Sequence, residues 1–377
     1  MVEIQDIFQK YMGDYCQSHK LSLVQTKAVH AIKNCRTSVL GAHEDVCDNC
    51  GDIQFSYNSC RNRHCPKCQT LSKERWIDNQ KANLLDVKYF HVVFTVPADL
   101  RPLFYQNQRP LYSLLFKAVA ETLQELAGDK KHLGATLGFS SILHTWGQNL
   151  MFHPHIHCIV PAGGLNSVGK WVPSKKNFFI PFKVLSRKFK GKFLHLLQSA
   201  PLEFYDSLQY LHDETSFLNF IDSCYQKEWV VYCKKPFKTV NNVIEYLGRY
   251  THRVAIANHR IVKVENDLVT FKWRDYRDDN KQKLMTVPAV EFIRRFLTHV
   301  LPPGFMKIRH YGFLGNRNKT KKLTLCKKLT NTPLVVKKAA STSELIRTIL
   351  GDNALMCNAC GFDRHPSPQG LSPPKTA

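Results

Sequence analysis

The stretch His153-Pro154-His155-Ile156-His157 places two histidines at a spacing that can hold a metal ion, and Tyr246 and Tyr250 are two phenols that can act as nucleophiles. In an extended chain side chains alternate faces, so His155 and His157 point the same way while Ile156 turns into the core between them. Strand geometry separates the two imidazoles by roughly 7 Å, close enough to share one divalent cation. Such a set supports attack of a tyrosine hydroxyl on a phosphodiester, assisted by the metal. A packed histidine strand and a pair of half-buried tyrosines are the purely structural alternatives, and the flanking residues weigh against both.

A preceding strand is expected over the segment from Ser141 toward Asn149, with a tight connection from Asn149 to Pro154. A hairpin there would bring Gln148 or His144 beside the histidine pair. Gln148 is the favoured third ligand, because a neutral oxygen suits a hard ion such as Mg²⁺ or Mn²⁺ and leaves positions open for a phosphate oxygen. Three histidines would instead suit zinc. The tyrosines belong to a segment, Thr239 to Arg253, whose apolar residues Val240, Val243, Ile244 and Leu247 predict an amphipathic helix. Tyr246 and Tyr250 then share one face of that helix. Gly248 in mid-helix costs about 1 kcal/mol relative to alanine, which makes sense if something approaches the backbone closely there. Arg249, His252 and Arg253 are placed to hold a phosphate.

These motifs stand in order with Tyr89-Phe-His-Val-Val-Phe-Thr-Val-Pro97, Leu143-His-Thr-Trp-Gly-Gln148, Arg253-Val-Ala-Ile-Ala-Asn258 and Arg294-Arg-Phe-Leu-Thr-His-Val-Leu-Pro-Pro-Gly304. Across most of its length the chain resembles the rolling-circle insertion-sequence transposases of the two-tyrosine HUH class, named for their His-hydrophobic-His motif. The resemblance implies that His155 and His157 hold the catalytic metal and that Tyr246 and Tyr250 are the nucleophiles. It implies nicking and rejoining of single-stranded DNA through a 5′-phosphotyrosine, with Tyr246 taken here as the first to attack. The fold class expected is α+β, an HUH-type antiparallel central sheet flanked by helices, with a small N-terminal helical and zinc module. Two other readings stand beside it: a rolling-circle replication initiator or relaxase, and a zinc-dependent DNA-binding regulator without catalysis.

Composition fits a nucleic-acid partner. Lys and Arg number 53 against 30 Asp and Glu, a net charge of 53 − 30 = +23, which calls for a polyanion. A hydrolase of small phosphate esters would not need that charge. No apolar run approaches the roughly 18 to 20 residues of a spanning helix, and the N-terminus lacks the basic start of a signal peptide, so a cytoplasmic, nucleoid-associated protein without a membrane partner is expected. No Gly-x4-Gly-Lys loop for ATP is present, so a host helicase would open the duplex. Spacing leaves the oligomeric state open.

The chain has 13 cysteines, an odd number grouped in Cys-x2-Cys pairs, which favours metal binding in a reducing compartment over a disulfide framework. Cys47 and Cys50, then Cys65 and Cys68, predict one four-cysteine Zn²⁺ site, with Cys60 and His64 inside the loop able to replace a ligand or support a second ion. This module also resembles a transposase zinc-binding domain, with Arg61, Arg63 and Lys67 as candidate DNA contacts. A further pair, Cys357 and Cys360, lacks an obvious partner pair; His365, Cys326 or another subunit could complete a site, or the motif could be unpaired.

The domains expected are residues 1–85 for the helices and zinc module, 86–314 for the catalytic domain, and 315–377 for a basic arm and disordered tail. Gly315 to Ala340 carries eight Lys/Arg and no acid. Helices are expected over Leu71–Leu85, Leu111–Leu126 and Pro288–Val300, core strands over Tyr89–Val96 and Trp229–Cys233, and a β-meander from Val254 to Trp273. Between about 165 and 225 the periodicity is unclear. The run Lys183, Arg187, Lys188, Lys190 and Lys192 there is either a solvated face or part of a DNA groove.

Overall fold

The structure, a computed structural model, describes residues 2–174, 180–237, 242–244, 246, 248, 255–276, 278–334, 340–364 and 370–371. The chain opens with helices α1 (Ile4–Ser18) and α2 (Leu23–Lys33), a hairpin of β1 (Ala42–Val46) and β2 (Ile53–Tyr57), and helix α3 (Pro66–Lys81). There follow β3 (Tyr89–Thr95), α4 (Arg101–Gln106), α5 (Gln108–Gly128), β4 (Gly138–Trp146), β5 (Phe152–Pro161) and the short pair β6 (Gly163–Leu165) and β7 (Trp171–Pro173). Helices α6 (Phe182–Gln198) and α7 (Glu214–Gln226) lead to β8 (Val231–Phe237). Next come the meander β9 (Ile261–Glu265), β10 (Leu268–Asp275) and β11 (Lys281–Pro288), then α8 (Ala289–Leu297) and β12 (Ile308–Gly312). The described chain finishes with α9 (Lys319–Leu329), α10 (Thr342–Leu350) and β13 (Gly370–Leu371).

The fold is α+β, built on a five-stranded antiparallel sheet in the order β12-β4-β5-β3-β8. Because side chains alternate, each strand offers one residue set to each face. Phe90, Val92 and Phe94 of β3 share a face with Ile156, Cys158 and Val160 of β5 and join the main core. Helices α5 and α6 cover that face with Leu115, Phe116, Val119 and Leu123, and with Leu185, Phe189, Phe193 and Leu197. Full burial of each such side chain is worth roughly 1.5–3 kcal/mol. The i, i+4 spacing of the α6 set resolves the region that had no clear periodicity. Three members of its basic run have protein partners: Lys188 and Lys192 pair with Glu125 of α5, and Lys190 donates to the Tyr225 carbonyl at 2.6 Å.

The second core belongs to the N-terminal helices. Ile4, Ile7, Phe8 and Tyr11 of α1 pack with Val269 and Phe271 of the meander and with Phe292 and Phe296 of α8. Phe8 meets Phe296 edge-on at 5.2 Å between ring centroids. Among the described residues no helix is long and apolar enough to cross a membrane.

The predicted grouping of Cys47, Cys50, Cys65 and Cys68 is corrected by the structure. Cys65 and Cys68 join Cys35 and Cys60, while Cys47 and Cys50 join Cys357 and Cys360; in each group the sulfurs lie within 4.8 Å of one another. The reason is the β1–β2 hairpin, which carries the first pair out to its turn, while Cys65 is the residue that caps α3 and Cys68 stands in its first turn. Cys35 follows the end of α2, so helix packing brings it to the second pair. His64 is a ligand in neither group: its Nε2 accepts from the Leu301 amide at 3.1 Å.

Candidate active site

The sheet face opposite the main core carries the histidines. In the antiparallel registers His144 of β4 stands directly across from His155 of β5, and Val93 of β3 across from His157. Paired residues share a face, so His144, His155 and His157 project together, with His91 one step along β3. The three former offer nitrogens within 4.8 Å of one another, all on buried side chains. His155 Nδ1 is 2.6 Å from the His153 carbonyl oxygen, and His157 Nδ1 is 2.9 Å from Tyr246 Oη. With these Nδ1 atoms engaged, a ligand role falls to Nε2 on both rings, the arrangement in which an outer hydrogen bond fixes ring orientation. Burial, and after it the neighbouring His153, pushes His155 down to about 3, so it is neutral at pH 7 with a lone pair for a cation.

Gln148 lies elsewhere. The β4–β5 register is disturbed between His144 and Trp146, and Gln148 falls in the turn beyond, where its side chain donates to Tyr276 Oη at 3.0 Å. Among the described residues it is His144, not Gln148, that stands with His155 and His157. The turn has Leu150 in the left-handed region at φ 63°, a conformation a branched apolar residue adopts only when its surroundings impose it. The Arg294–Gly304 stretch supplies that support. His299 Nε2 is 3.0 Å from the Leu150 carbonyl oxygen, its Nδ1 is 3.2 Å from Thr145 Oγ1, and Arg295 donates to the Asn149 carbonyl at 3.1 Å.

Of the tyrosine segment, residues 242–244, 246 and 248 are helical. Tyr250, Arg249, His252 and Arg253 lie outside the described residues. Val243 packs with Ile142, Ile159 and Tyr89 on the histidine face, and Tyr246 packs on the same cluster. The Tyr246 hydroxyl stands 2.5 Å from His91 Nε2 and 2.9 Å from His157 Nδ1, and those two nitrogens are 2.8 Å apart. His91 carries no motif signal of its own in the sequence, although its place in the alternating Tyr89–Thr95 strand puts it on the face of Val93. Gly248 is explained by α3: a Cβ there would stand 2.7 Å from Ile77 Cδ1 and 3.3 Å from Lys73 Cε.

The candidate DNA contacts of the zinc module divide. Arg61 is exposed. Arg63 donates to the Phe305 carbonyl at 2.7 Å, and Lys67 pairs with Glu3 at 2.6 Å and with Gln5. Both bind the module to the rest of the molecule. In the group of Cys35, Cys60, Cys65 and Cys68, Cys68 Sγ lies 3.6 Å from Cys35 Sγ and from Cys60 Sγ. Four thiolates around one zinc at about 2.3 Å stand roughly 3.8 Å apart, so the set fits that ion.

Comparison with known proteins gives concordant matches. Residues 138–322 match the family described as "Putative transposase", and residues 7–96 match the family described as "Transposase zinc-binding domain". The chain is 48% identical over 333 residues to "Putative transposase y4qJ" of Sinorhizobium fredii, covering 87% of this chain and 84% of that one. It is 30% identical over 318 residues to the "Transposase for insertion sequence element IS801" of Pseudomonas savastanoi pv. phaseolicola, covering 81% and 75%. No solved structure matches it.

Proposed function

The chain belongs to the insertion-sequence transposases that carry an N-terminal transposase zinc-binding domain, and from that premise we propose that it nicks and rejoins single-stranded DNA in rolling-circle transposition, through a 5′-phosphotyrosine on Tyr246. The observation that carries the proposal is the contact between the Tyr246 hydroxyl and His157, a member of the three-histidine group.

A phenol with a pKa near 10 is a weak nucleophile at neutral pH and needs help to lose its proton. Tyr246 Oη is 2.5 Å from His91 Nε2, which takes that proton as Oη attacks the scissile phosphorus. His157, held by its Nδ1 hydrogen, steadies the developing phenolate from 2.9 Å. The P–O3′ bond breaks, the 3′ oxygen leaves and is protonated, and the 5′ phosphate stays on Tyr246. Mg²⁺ or Mn²⁺ on the three histidines would supply Lewis acidity at a phosphoryl oxygen, and the all-imidazole set also suits zinc, so all three ions enter the test.

The phosphotyrosine bond keeps the energy of the diester, so the 3′-OH of another strand attacks it and reseals the backbone without ATP. Tyr250, four residues on in the sequence, takes the second cleavage while Tyr246 still holds the first end. DNA of either strand is drawn by the charge of +23, with opening of the duplex left to a host helicase.

The test is incubation with labelled single-stranded oligonucleotides from the element's ends, with Mn²⁺, Mg²⁺, Zn²⁺ or chelator. The expected outcome is cleavage with Mn²⁺ or Mg²⁺, giving one free 3′-OH fragment and one fragment bound to denatured protein. Binding without cleavage under every metal overturns the proposal in favour of a DNA-binding regulator.

A further inference from the structure

The sequence motif that the activity leaves unused is Cys357-Asn-Ala-Cys360-Gly361, far along the chain from Cys47-Asp-Asn-Cys50-Gly51. The structure folds the two alike. Gly51 donates its amide to the Cys47 carbonyl at 2.9 Å, and Gly361 to the Cys357 carbonyl at 2.9 Å. Cys47 donates to the Asp52 carbonyl at 2.9 Å, and Cys357 to the Phe362 carbonyl at 2.7 Å. Both glycines have φ of +73°, the left-handed conformation that only glycine adopts without strain. Two knuckles of one shape therefore face each other.

Their sulfurs interleave. Cys47 Sγ is 3.5 Å from Cys360 Sγ, and Cys50 Sγ is 3.6 Å from Cys357 Sγ. A disulfide would need about 2.0 Å, and a single tetrahedral zinc would set its four thiolates roughly 3.8 Å apart. We propose that Cys47, Cys50, Cys357 and Cys360 hold a second structural zinc ion, which clasps the C-terminal segment onto the N-terminal module. Cys357 and Cys360 lie outside both matched family stretches, residues 7–96 and 138–322.

Other contacts support a built junction. Arg364, a buried cation, pairs with Asp52 beside the first knuckle and donates to Cys357 Sγ at 3.2 Å. Residues 370–371 add a strand to β1, with His43 opposite Gly370. Helix α10 lies against α3, where Arg75 donates to Thr342 Oγ1 at 2.7 Å. Since α3 also packs against Gly248 of the tyrosine segment, the clasp ties the chain's end to the helix behind the proposed nucleophile. It closes a loop spanning 307 positions between Cys50 and Cys357, and metal binding of that kind contributes directly to folding free energy.

The test uses the full chain purified without chelator. Elemental analysis should find at least two zinc ions per chain, and the double variant Cys357→Ser/Cys360→Ser should hold one fewer than the wild type. Alkylation mapped by mass spectrometry in the unmodified protein provides the measurement that needs no variant. Cys47, Cys50, Cys357 and Cys360 should be protected as a set and become reactive together on zinc removal. One zinc in the wild type, iron in its place, a zinc content unchanged in the double variant, or ready alkylation of Cys357 and Cys360 in native protein would each overturn the proposal.

Discussion

Tyr246 and His157 meet at 2.9 Å between Oη and Nδ1, so the tyrosine segment is joined to the histidine strand through the side chains proposed to do the chemistry. His91 completes the triangle at 2.5 Å from the same hydroxyl. Replacing Tyr246 by Phe should abolish the first cleavage while leaving DNA affinity intact. His91→Gln, which keeps a polar side chain but makes a poor proton acceptor, should slow single-turnover cleavage by about 10²–10⁴-fold, the usual contribution of a positioned base. An unchanged rate would remove His91 from the mechanism.

His144 and Gln148 offer a direct comparison. The structure joins His144 to His155 and His157 and turns Gln148 toward Tyr276. His144→Ala should therefore lower cleavage in limiting Mn²⁺ by at least about 100-fold, since even an outer-shell partner of a metal ligand costs 10–100-fold. Gln148→Ala should change it less than about threefold. The ranking is read from initial rates across a Mn²⁺ titration, and the opposite order would place Gln148 at the metal.

Gly248 links the tyrosine segment to α3. A Cβ there lies 2.7 Å from the end of the Ile77 side chain, so Gly248→Ala overpacks a tight contact and should destabilise the docking by about 1–3 kcal/mol. Cleavage should fall with it. The double variant Gly248→Ala/Ile77→Ala opens the space again and should recover part of the rate. Failure of the second substitution to help would mean that Gly248 serves something other than this approach.

How much of this was legible follows from how far apart the interacting residues are in the chain. That His155 and His157 share one face could be read from spacing alone, because alternation along one strand is a local property. The same alternation made β3 and β5 readable, and the periodic apolar residues of α5 did so for that helix. His144 over Gln148 needed the β4–β5 register, which a disturbance between His144 and Trp146 shifts. The cysteines failed for the same reason in a stronger form. Cys47-x2-Cys50 and Cys65-x2-Cys68 are neighbours in sequence, yet each finds its partners through topology, at Cys357 and Cys360 in one case and Cys35 and Cys60 in the other. Arg63 and Lys67 looked like DNA contacts by charge, and only the fold shows that Phe305, Glu3 and Gln5 use them.

His299 makes stability sensitive to acid. It is buried beneath the β4–β5 turn, and burial, partly opposed by its bond to the Leu150 carbonyl, lowers it to about 4. The unfolded chain, with a histidine near 6.5, binds the extra proton between those values. The neutral form's contribution is thus complete above about 6.5 and is lost as pH falls toward 4, at up to about 1.4 kcal/mol per pH unit. Urea midpoints between pH 7.5 and 4.5 should decline, and His299→Gln, although it lowers stability at pH 7.5, should make the decline shallower without removing it, because burial lowers His64, His153, His155 and His310 as well. An equal slope in both proteins would show that His299 does not contribute to it.

The most direct measurement is to digest the covalent protein–DNA adduct and identify its linkage by mass spectrometry. A nucleotide joined through its 5′ phosphate to the Tyr246 phenolic oxygen is the predicted result, with the companion fragment ending in a free 3′-OH. Attachment through a 3′ phosphate, attachment to a serine, or a first adduct on Tyr250 with none on Tyr246 would contradict the account.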